Sequence, residues 1–276
     1  MPIITLTTDF GTKDHFVGAL KGAIYKELSD AKIIDISHQI TPFNITETAY
    51  ILKNSYQNFP KGTIHIIGVD SEISIENRPL AIELDGQFFI CGDNGIISMI
   101  TNEIIPEKLV EITIQNTNEN NPAILDVFVK VACHIARGGM LEVIGKKIEK
   151  VKELFEIQPQ INTEQNQIVG AVIYIDNFGN VISNISQSTF NNIGKGRDFE
   201  IIARSYKFTK VYKKYNDIVD FTIPEEKRQD DGKRLALFNS SNFLEISMYR
   251  SNLKTVGGAS SLLGLNYRDN ITIRFK

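Results

Sequence analysis

The first half of the chain alternates short β-branched runs with segments of helical periodicity, and this alternation constrains the fold more than any other feature. ITLTT, AKIIDIS and GTIHIIGVD are typical of strands, whereas HFVGALKGAIYKEL and ITETAYILKNSYQ have the spacing of helices that bury one face. Strands and helices that alternate in this way form parallel sheets joined by crossover helices. We therefore predict an α/β domain with a mainly parallel sheet.

Local signals indicate where several of these elements begin and end. Asp14 precedes the first helical pattern and is a candidate N-cap, because its carboxylate can accept free backbone N–H groups. Asp85-Gly86 predicts a hairpin turn, and Gly138-Gly139 predicts the end of a later helix. The face of the first helix predicted to pack on the sheet contains Phe16, Ala19, Leu20, Ala23, Ile24 and Leu28.

The pattern changes after the polar segment EIQPQINTEQNQ, which has the composition of a link between domains. Beyond it, IVGAVIYIDNFGNVISNIS, GKRLALFNSSNFLEISMY and DNITIRFK are typical of short strands without long helices between them. Such a series predicts a small antiparallel β-barrel. The 276 residues also suit two domains, which we place at 1–157 for the N-terminal α/β domain and 167–276 for the barrel.

Composition argues against several classes of function. A net charge of -3 gives no basic surface for nucleic acid, and no apolar run approaches the roughly 20 residues that span a bilayer. The N-terminus has no signal-peptide pattern, so we expect a cytoplasmic protein. Cys91 and Cys133 lie far apart and outside any metal-ligand spacing. Neither GxGxxG nor a P-loop follows the first strand, so we expect no metal or cofactor.

Polar residues follow four of the predicted strands, at the edge of an α/β sheet where ligands bind. A carboxylate at this edge can accept hydrogen bonds from both hydroxyls of a vicinal diol. The same residue types also favour turns, so each cluster alone is equally consistent with a structural role. The clusters are Thr8-Asp9-Phe10-Gly11, Asp35-Ile36-Ser37-His38, Val69-Asp70 and Gly92-Asp93-Asn94-Gly95.

The histidines are weaker signals. His65 lies within an apolar strand pattern and is predicted to be buried with its hydrogen bonds satisfied. His15 and His38 lie near turns, where either a surface or a site position is open. One helix carries a stripe at intervals of four residues, more typical of a solvated face than of a catalytic set: Asp126, Lys130 and His134.

Motifs from both halves of the chain, taken in order, resemble the S-adenosylmethionine (SAM) hydrolase family, the SAM hydroxide adenosyltransferases related to fluorinases and chlorinases. They are TTDFGTKDHFVGALKGAI, IIDISHQITPFNITETAYIL, FPKGTIHIIGVD, GDNGIIS, YIDNFGNVISNIS and NSSNFLEIS. The resemblance runs from Thr7 to about Ser247. It implies a Rossmann-like N-terminal domain, a C-terminal β-barrel, and a homotrimer in which the barrel of one subunit closes the active site of its neighbour.

The resemblance also implies roles for individual residues. Asp9 would hold the ribose hydroxyls, and Phe43 would lie against the sugar and nucleoside. In the barrel, Asp176 and Ser240 would hold the methionine amino and carboxylate groups, and Asn180 would face the adenine. The remaining pocket residues that it implies are Ser241, Phe178 and Phe243.

In this family a nucleophile attacks the ribose C5′ and expels methionine. Asp70 resembles an acidic position of the hydrolases that is a tyrosine in the halogenases, and it favours water or hydroxide as the nucleophile. Hydrolases have VDPGVG and then an arginine seven residues after the aspartate, whereas this chain has Asn77 there and Arg78 next. Where the family has a TFHGRD-like segment, this chain reads NPAILD, with Ala123 at the histidine position. Asp70 and Arg78 are the candidate catalytic residues.

Three functions follow from this pattern. The first is hydrolysis of SAM to adenosine and methionine. The second is a catalytically impaired protein that binds SAM or adenosine, because ligand residues are retained beside altered catalytic positions. The third is adenosyl transfer to a halide such as chloride, and a purely structural role for the DNFGN and NSSN turns is the alternative to all three.

Overall fold

The computed structural model describes residues 1–101, 104–116 and 121–276. They form two compact units, Met1–Glu156 and Ile157–Lys276. The limits predicted from the sequence, 1–157 and 167–276, stay predictions, because compactness alone does not define a domain that folds independently.

Within the described residues, the first unit contains a seven-stranded sheet with the order β2-β1-β3-β5-β4-β6-β7. The strands are β1 (Ile3–Thr8), β2 (Lys32–Ser37), β3 (Ile64–Gly68), β4 (Pro79–Leu84), β5 (Gln87–Gly92), β6 (Lys108–Ile112) and β7 (Gly145–Lys147). Strands β2, β1, β3 and β5 run parallel, whereas β4 pairs antiparallel with β5 across the predicted Asp85-Gly86 turn. The structure confirms an α/β fold rich in parallel strands.

Helices cover both faces of this sheet. They are α1 (Phe16–Glu27), α2 (Ile45–Lys53), α3 (Ile96–Thr101) and α4 (Val127–Ala136). Leu20 of α1 and Phe128 of α4 share one apolar cluster with Ile66 of β3, while Leu52 of α2 shares another with Ile67. Because neighbouring residues of a strand point to opposite faces, the two clusters lie on opposite sides of β3.

The start of α1 differs from the sequence prediction. His15, not Asp14, occupies the N-cap position, and no side chain caps the helix. The His15 carbonyl instead accepts the first helical hydrogen bond, from the Ala19 N–H. Leu20 and Ile24 are buried as predicted, but Ala19 is exposed. Asp14 was therefore the wrong cap, because the helix begins one residue too late for its side chain to serve the first turn.

His65 is buried on β3 and has hydrogen-bond partners on both ring nitrogens, as predicted. Its Nδ1 lies 2.7 Å from Thr5 Oγ1, and its Nε2 lies 2.8 Å from Gln87 Oε1. The ring stacks on Phe89 with 4.6 Å between centroids. Burial lowers the pKa of His65 from 6.5 to about 4, because a charged imidazole is poorly solvated there.

Within the described residues, the second unit contains a nine-stranded sheet with the order β12-β11-β16-β9-β10-β15-β14-β13, and β8 is added on β9. All strand pairs are antiparallel except β13 and β14, and the sheet is barrel-like. Its elements are β8 (Gln160–Ile161), β9 (Gln167–Ile175), β10 (Val181–Ser186), α5 (Gln187–Gly194), β11 (Phe199–Ala203), β12 (Tyr206–Phe208), β13 (Val211–Tyr212), β14 (Arg234–Phe238), β15 (Phe243–Met248), α6 (Ala259–Leu263) and β16 (Asn270–Phe275).

The segment predicted as a link contains structure. Its β8 pairs antiparallel with β9, and Asn162 reverses the chain between them because its Oδ1 accepts the backbone N–H groups of Asn166 and Gln167 at 3.0 and 2.9 Å. The polar composition read from the sequence is therefore that of a hairpin turn.

Candidate functional site

Asp9 and Phe43, both predicted to bind a nucleoside, are adjacent in the first unit. Asp9 follows β1, and its Oδ2 accepts a hydrogen bond from the Phe43 backbone N–H at 3.0 Å. Phe43 has a φ of 62°, and its side chain is 72% exposed. Within the described parts of the chain, the Asp9 carboxylate has no other hydrogen bond. Its Oδ1 is thus available to a ligand hydroxyl beside an exposed aromatic ring.

The start of α2 holds Phe43 in place. Asn44 is the N-cap of this helix, and its Oδ1 accepts the Glu47 N–H at 3.1 Å. Glu47 Oε2 in turn accepts the Thr41 N–H at 3.1 Å. These two bonds fix the turn on both sides of Phe43, so the left-handed backbone at this residue belongs to an ordered turn.

The strand-end cluster after β2 serves the framework. His38 is buried, its Nδ1 lies 2.7 Å from Thr8 Oγ1, and its carbonyl accepts the Gly11 N–H at 2.7 Å. Its Nε2 lies 3.2 Å from Asp35 Oδ1, and Lys21 donates to Asp35 Oδ2 at 2.6 Å. Burial raises the pKa of Asp35, but the bonds from Lys21 and His38 outweigh this and hold it below its ordinary value. His38 therefore joins the carboxyl ends of β1 and β2.

Asp70 lies two residues beyond β3 in a left-handed conformation with a φ of 45°. Its carbonyl accepts one hydrogen bond from Asn77 Nδ2 at 2.8 Å and another from Asn94 Nδ2 at 3.1 Å. Asn77 Nδ2 also donates to the Glu72 carbonyl at 2.9 Å. We call Asn77 and Asn94 the amide clamp. Because such a backbone conformation is costly for a residue with a Cβ, the clamp stabilises the orientation of the Asp70 side chain.

Arg78 is bound to two other carboxylates. Its Nη2 lies 2.5 Å from Asp93 Oδ2, and its Nη1 lies 3.0 Å from Glu111 Oε2. The hydrogen bond to Asp93 is the main reason that the pKa of Arg78 is raised. Asp93 Oδ1 also accepts the Lys152 N–H at 2.7 Å. The strand-end residue Asp93 thus joins distant parts of the unit, and its partner Arg78 remains a catalytic residue by prediction only.

The segment NPAILD lies near the end of β3. It forms a single 3-10 turn over Ala123–Leu125, and the Ile124 side chain packs so closely on Gly68 that an added Cβ would lie 2.2 Å from Ile124 Cδ1. Gly68 ends β3 two residues before Asp70, so a glycine is needed for this approach.

The predicted stripe on α4 does not act as one unit. Asp126 Oδ1 pairs with Lys130 Nζ at 2.5 Å, whereas His134 Nε2 donates to the Met140 carbonyl at 3.1 Å after the helix ends. His134 therefore stabilises the loop that follows α4, and Lys130 neutralises the largely buried carboxylate of Asp126.

In the second unit, Asp176 organises the turn between β9 and β10. Its Oδ1 accepts the N–H groups of Phe178 and Asn180, each at 2.9 Å, and its Oδ2 accepts Asn180 Nδ2 at 2.9 Å. Asn180 is 5% exposed, and among the described residues its Oδ1 has no hydrogen-bond partner. The Phe178 ring is exposed. A buried acceptor beside a carboxylate and an open ring is a candidate ligand subsite, because an unpaired polar group costs about 1–3 kcal/mol.

The NSSN segment forms the turn between β14 and β15. Asn239 Oδ1 accepts the backbone N–H groups of Ser241 and Phe243 at 3.0 and 3.2 Å. Ser240 is exposed at the tip of this turn, and Ser241 is half-buried. The structure thus places these predicted ligand residues together on a turn whose shape Asn239 determines.

Glu245 was not predicted from the sequence. This residue of β15 is 3% exposed, and its Oε1 accepts a hydrogen bond from the Tyr215 hydroxyl at 2.6 Å. Burial raises the pKa of Glu245, and the negative charge of Asp176 adds to the effect. The signal that was available is the carboxylate within the apolar run FLEISM, since charged residues are rarely buried without partners.

Two features are absent from residues 1–101, 104–116 and 121–276. No helix there is long and apolar enough to cross a membrane, and no three His, Cys, Asp or Glu residues there are grouped as metal ligands.

Models of two protein domains match most of the chain. The SAM hydroxide adenosyltransferase N-terminal domain matches residues 4–145, and the SAM hydroxide adenosyltransferase C-terminal domain matches residues 170–272. The chain belongs to the SAM hydroxide adenosyltransferase family. The matched residues include the Asp176 turn and the NSSN turn of the second unit, together with the strand ends of the first unit.

Similar proteins agree with this assignment. An (R)-S-adenosyl-L-methionine hydrolase of Methanocaldococcus jannaschii is 29% identical over 283 residues, which cover 99% of this chain and 96% of the relative. A fluorinase of Actinopolyspora mzabensis is 22% identical, with 71% and 75% of the two chains covered. The crystal structure of an uncharacterized conserved protein from Thermotoga maritima superposes with a TM-score of 0.81 at 27% identity and covers 99% of each chain.

Asn77 distinguishes this chain from the motif of the hydrolases in its family. The motif has an arginine at this position, whereas Asn77 supplies uncharged N–H donors to the carbonyls of Asp70 and Glu72. The cation at the next position, Arg78, is paired with Asp93 and Glu111. The neighbourhood of Asp70 is therefore shaped by amide hydrogen bonds.

We expect Asn77→Ala to lower the turnover of SAM about tenfold, because Asp70 would lose one of the two donors that hold its left-handed backbone. The free energy of unfolding should also fall by about 1–3 kcal/mol, since two hydrogen bonds are removed. Initial rates and urea unfolding would measure the two effects.

Asn58→Ala is the matched control, because Asn58 Nδ2 also donates to a backbone carbonyl, that of Asn54, on an exposed turn. Its turnover should equal that of the wild type. Equal rates for Asn77→Ala and Asn58→Ala would contradict a role for the amide clamp in catalysis.

Proposed function

We propose that this protein hydrolyses SAM to adenosine and L-methionine. An oxygen of water or hydroxide bonds to ribose C5′, the C5′–S bond breaks, and its electron pair returns to sulfur so that neutral methionine thioether leaves. The observation that carries the proposal is the 29% identity to an (R)-S-adenosyl-L-methionine hydrolase over 99% of this chain. A match of this extent covers the residues assigned to the nucleoside and those assigned to methionine.

The first unit supports the nucleoside half of the proposal. We propose that the available Oδ1 of Asp9 accepts the ribose hydroxyls and that the exposed ring of Phe43 lies against the sugar. The Asp9–Phe43 hydrogen bond sets the distance between them. One carboxylate oxygen can accept from both hydroxyls of a vicinal diol, which favours ribose over a deoxysugar.

The second unit supports the adenine and methionine half. The unpaired Oδ1 of Asn180 is an acceptor suited to the adenine amino group, which donates hydrogen bonds. Asp176 accepts three N–H groups within its turn, and a carboxylate has about four lone-pair sites, so one is left for an ammonium group. Ser240 and Ser241 offer hydroxyl groups to the carboxylate of the methionine moiety. Phe178 and Phe243 would line the pocket.

Asp70 is suited to act on the nucleophile. Within the described ranges its side chain has no hydrogen bond or ion pair, while its backbone is held by the amide clamp. The carboxylate is therefore free to orient a water molecule and to accept its proton. Because the attacking oxygen neutralises a sulfonium, a site that excludes bulk water and aligns oxygen, carbon and sulfur favours displacement.

Incubation of the purified protein with SAM in oxygen-18 water tests the proposal. We expect adenosine that carries the label on its 5′ oxygen, together with an equal amount of methionine, above a control without protein. Mass spectrometry resolves both products. No labelled adenosine above the control would reject hydrolysis.

A second function is favoured by the surroundings of Arg78 and Ala123. Arg78 is paired with Asp93 and Glu111, and Ala123 carries no group that could act on water. If the protein only binds SAM or adenosine, calorimetry will show saturable binding while the ligand remains intact in the labelled-water assay. Consumption of SAM that requires chloride would instead indicate halogenation.

We also propose a cytoplasmic homotrimer with its sites at subunit interfaces, and we propose that SAM is the substrate without a further cofactor. The family resemblance supports this assembly. Light scattering after size-exclusion chromatography should give three times the mass of the chain, and a stable monomer would reject the shared site.

A further inference from the structure

Glu245 lies on the barrel sheet, on the face that also carries Ile182 and Tyr174. On this face, Glu245 pairs with Ile182 of β10, and Ile182 pairs with Tyr174 of β9. Asp176 follows Tyr174 by two residues, and Asn180 precedes Ile182 by two. Asp176 and Asn180 therefore lie in the turn that joins β9 to β10 next to this face, and the charge of Asp176 is close enough to raise the pKa of Glu245.

The carboxylate of Glu245 connects two segments to this face. Its Oε1 accepts the Tyr215 hydroxyl at 2.6 Å and the Ser247 hydroxyl, and the Asn239 side chain is a third hydrogen-bond partner. Tyr215 begins a 3-10 turn over Tyr215–Ile218, and Asn239 shapes the turn that contains Ser240 and Ser241. A single buried acceptor therefore holds both segments in place.

We propose that Glu245 is a positioning residue for the amino-acid part of the ligand. It holds Tyr215 and the Asn239 turn beside Asp176, and it adds a second negative charge to the face that would receive the ligand ammonium group. This inference rests on the proposed SAM site. Glu245 thereby favours SAM, which has an ammonium group and a net positive charge, over the uncharged nucleoside adenosine.

The charge of Glu245 makes this specificity depend on pH. Burial, and to a smaller extent the charge of Asp176, raise the pKa of Glu245. The hydrogen bonds from Ser247, Tyr215 and Asn239 lower it but do not outweigh the burial. A bound ammonium favours the ionised carboxylate, so protons compete with the ligand and affinity for SAM falls as pH falls. Asp176 and Tyr215 are the titratable groups known to face Glu245, while its strand partners Ile182 and Leu237 are apolar.

Glu245→Gln tests the proposal because it keeps the shape and an acceptor oxygen but removes the charge. At pH 8 we expect Kd for SAM to rise about tenfold and Kd for adenosine to change less than about twofold. The difference between variant and wild type should shrink as the pH is lowered to 5. In turnover assays KM should rise while kcat stays within about twofold. Calorimetry with SAM and with adenosine measures both affinities.

Glu200→Gln is the matched control, because Glu200 is another barrel carboxylate and pairs with Lys207 at 3.1 Å. It should bind both ligands as the wild type does. Wild-type protein that fails to bind SAM would reject the proposed function itself. If the wild type binds SAM normally, two results would overturn the role of Glu245 alone. One is that Glu245→Gln loses affinity for SAM and for adenosine equally. The other is that the ratio of its Kd for SAM to that of the wild type is the same at every pH.

Tyr215→Phe decides the question if Glu245→Gln does not fold. This variant keeps the ring and removes the hydroxyl group, which donates to Glu245 and also interacts with Ser247. A rise of about threefold in Kd for SAM, with adenosine unchanged, is expected. Unchanged affinity for SAM would overturn the proposal.

Discussion

Asp70→Asn is expected to lower kcat for SAM hydrolysis by about 100-fold or more, because general-base catalysis by a positioned side chain contributes about 10²–10⁴ in rate. The amide side chain keeps the size of the carboxylate but cannot accept a proton from water. Kd for SAM should stay within about threefold, since the groups assigned to the ligand are elsewhere. Rapid-quench rates and calorimetry on the same preparation separate the two quantities.

Glu76→Gln provides the comparison for this experiment. Glu76 is an exposed carboxylate on the same loop, and its replacement makes the same chemical change without altering the amide clamp. The control should retain the wild-type kcat. If Asp70→Asn also retains it, Asp70 takes no part in the mechanism, and the binding function becomes the better explanation of the site.

The second large effect concerns stability in acid. The pKa of His65 is about 4 in the folded protein and 6.5 as an ordinary value, so between these pH values the unfolded chain binds the proton more tightly. Stability from the neutral imidazole is complete above pH 6.5 and is lost as the pH falls toward 4. The free energy of unfolding should drop by about 3 kcal/mol across this window.

Urea unfolding at several pH values checks this prediction. In His65→Gln the drop between pH 6.5 and pH 4 should be smaller by about 3 kcal/mol, whatever the stability of the variant at neutral pH. His15→Gln, at an exposed histidine, should keep the wild-type slope. The same slope in His65→Gln and the wild type would show that His65 does not cause the acid sensitivity.

The helices and hairpins of this protein were largely predictable. The apolar residues Leu20 and Ile24 gave α1 its buried face, and Asp85-Gly86 gave the hairpin of β4 and β5. These signals succeed because side-chain period and turn chemistry act within a few residues. The prediction failed at Asp14, where the helix begins later, and the predicted link at residues 156–167 contains β8 and the Asn162 turn that leads from β8 into β9.

The candidate site was predictable only as a set of strand ends. Asp9 and Phe43 are 34 residues apart in sequence, yet they share a hydrogen bond, and the family resemblance named both without revealing that contact. Similar residue types at other strand ends have different roles. Asp93 and His38 resembled site residues in sequence, but one binds Arg78 and the other joins two strands.

The sequence by itself determined the α/β and barrel-like architectures, the family, and the acidic residues that the proposed reaction uses. These features follow from local periodicity, turn residues and the order of motifs along the chain. Only the tertiary structure decided which charges remain available. Arg78 is hydrogen-bonded to Glu111, which is 33 residues away in the sequence. Glu245 is hydrogen-bonded to Tyr215, which is 30 residues away. The energy of a charge depends on burial and on partners that folding brings from distant parts of the chain.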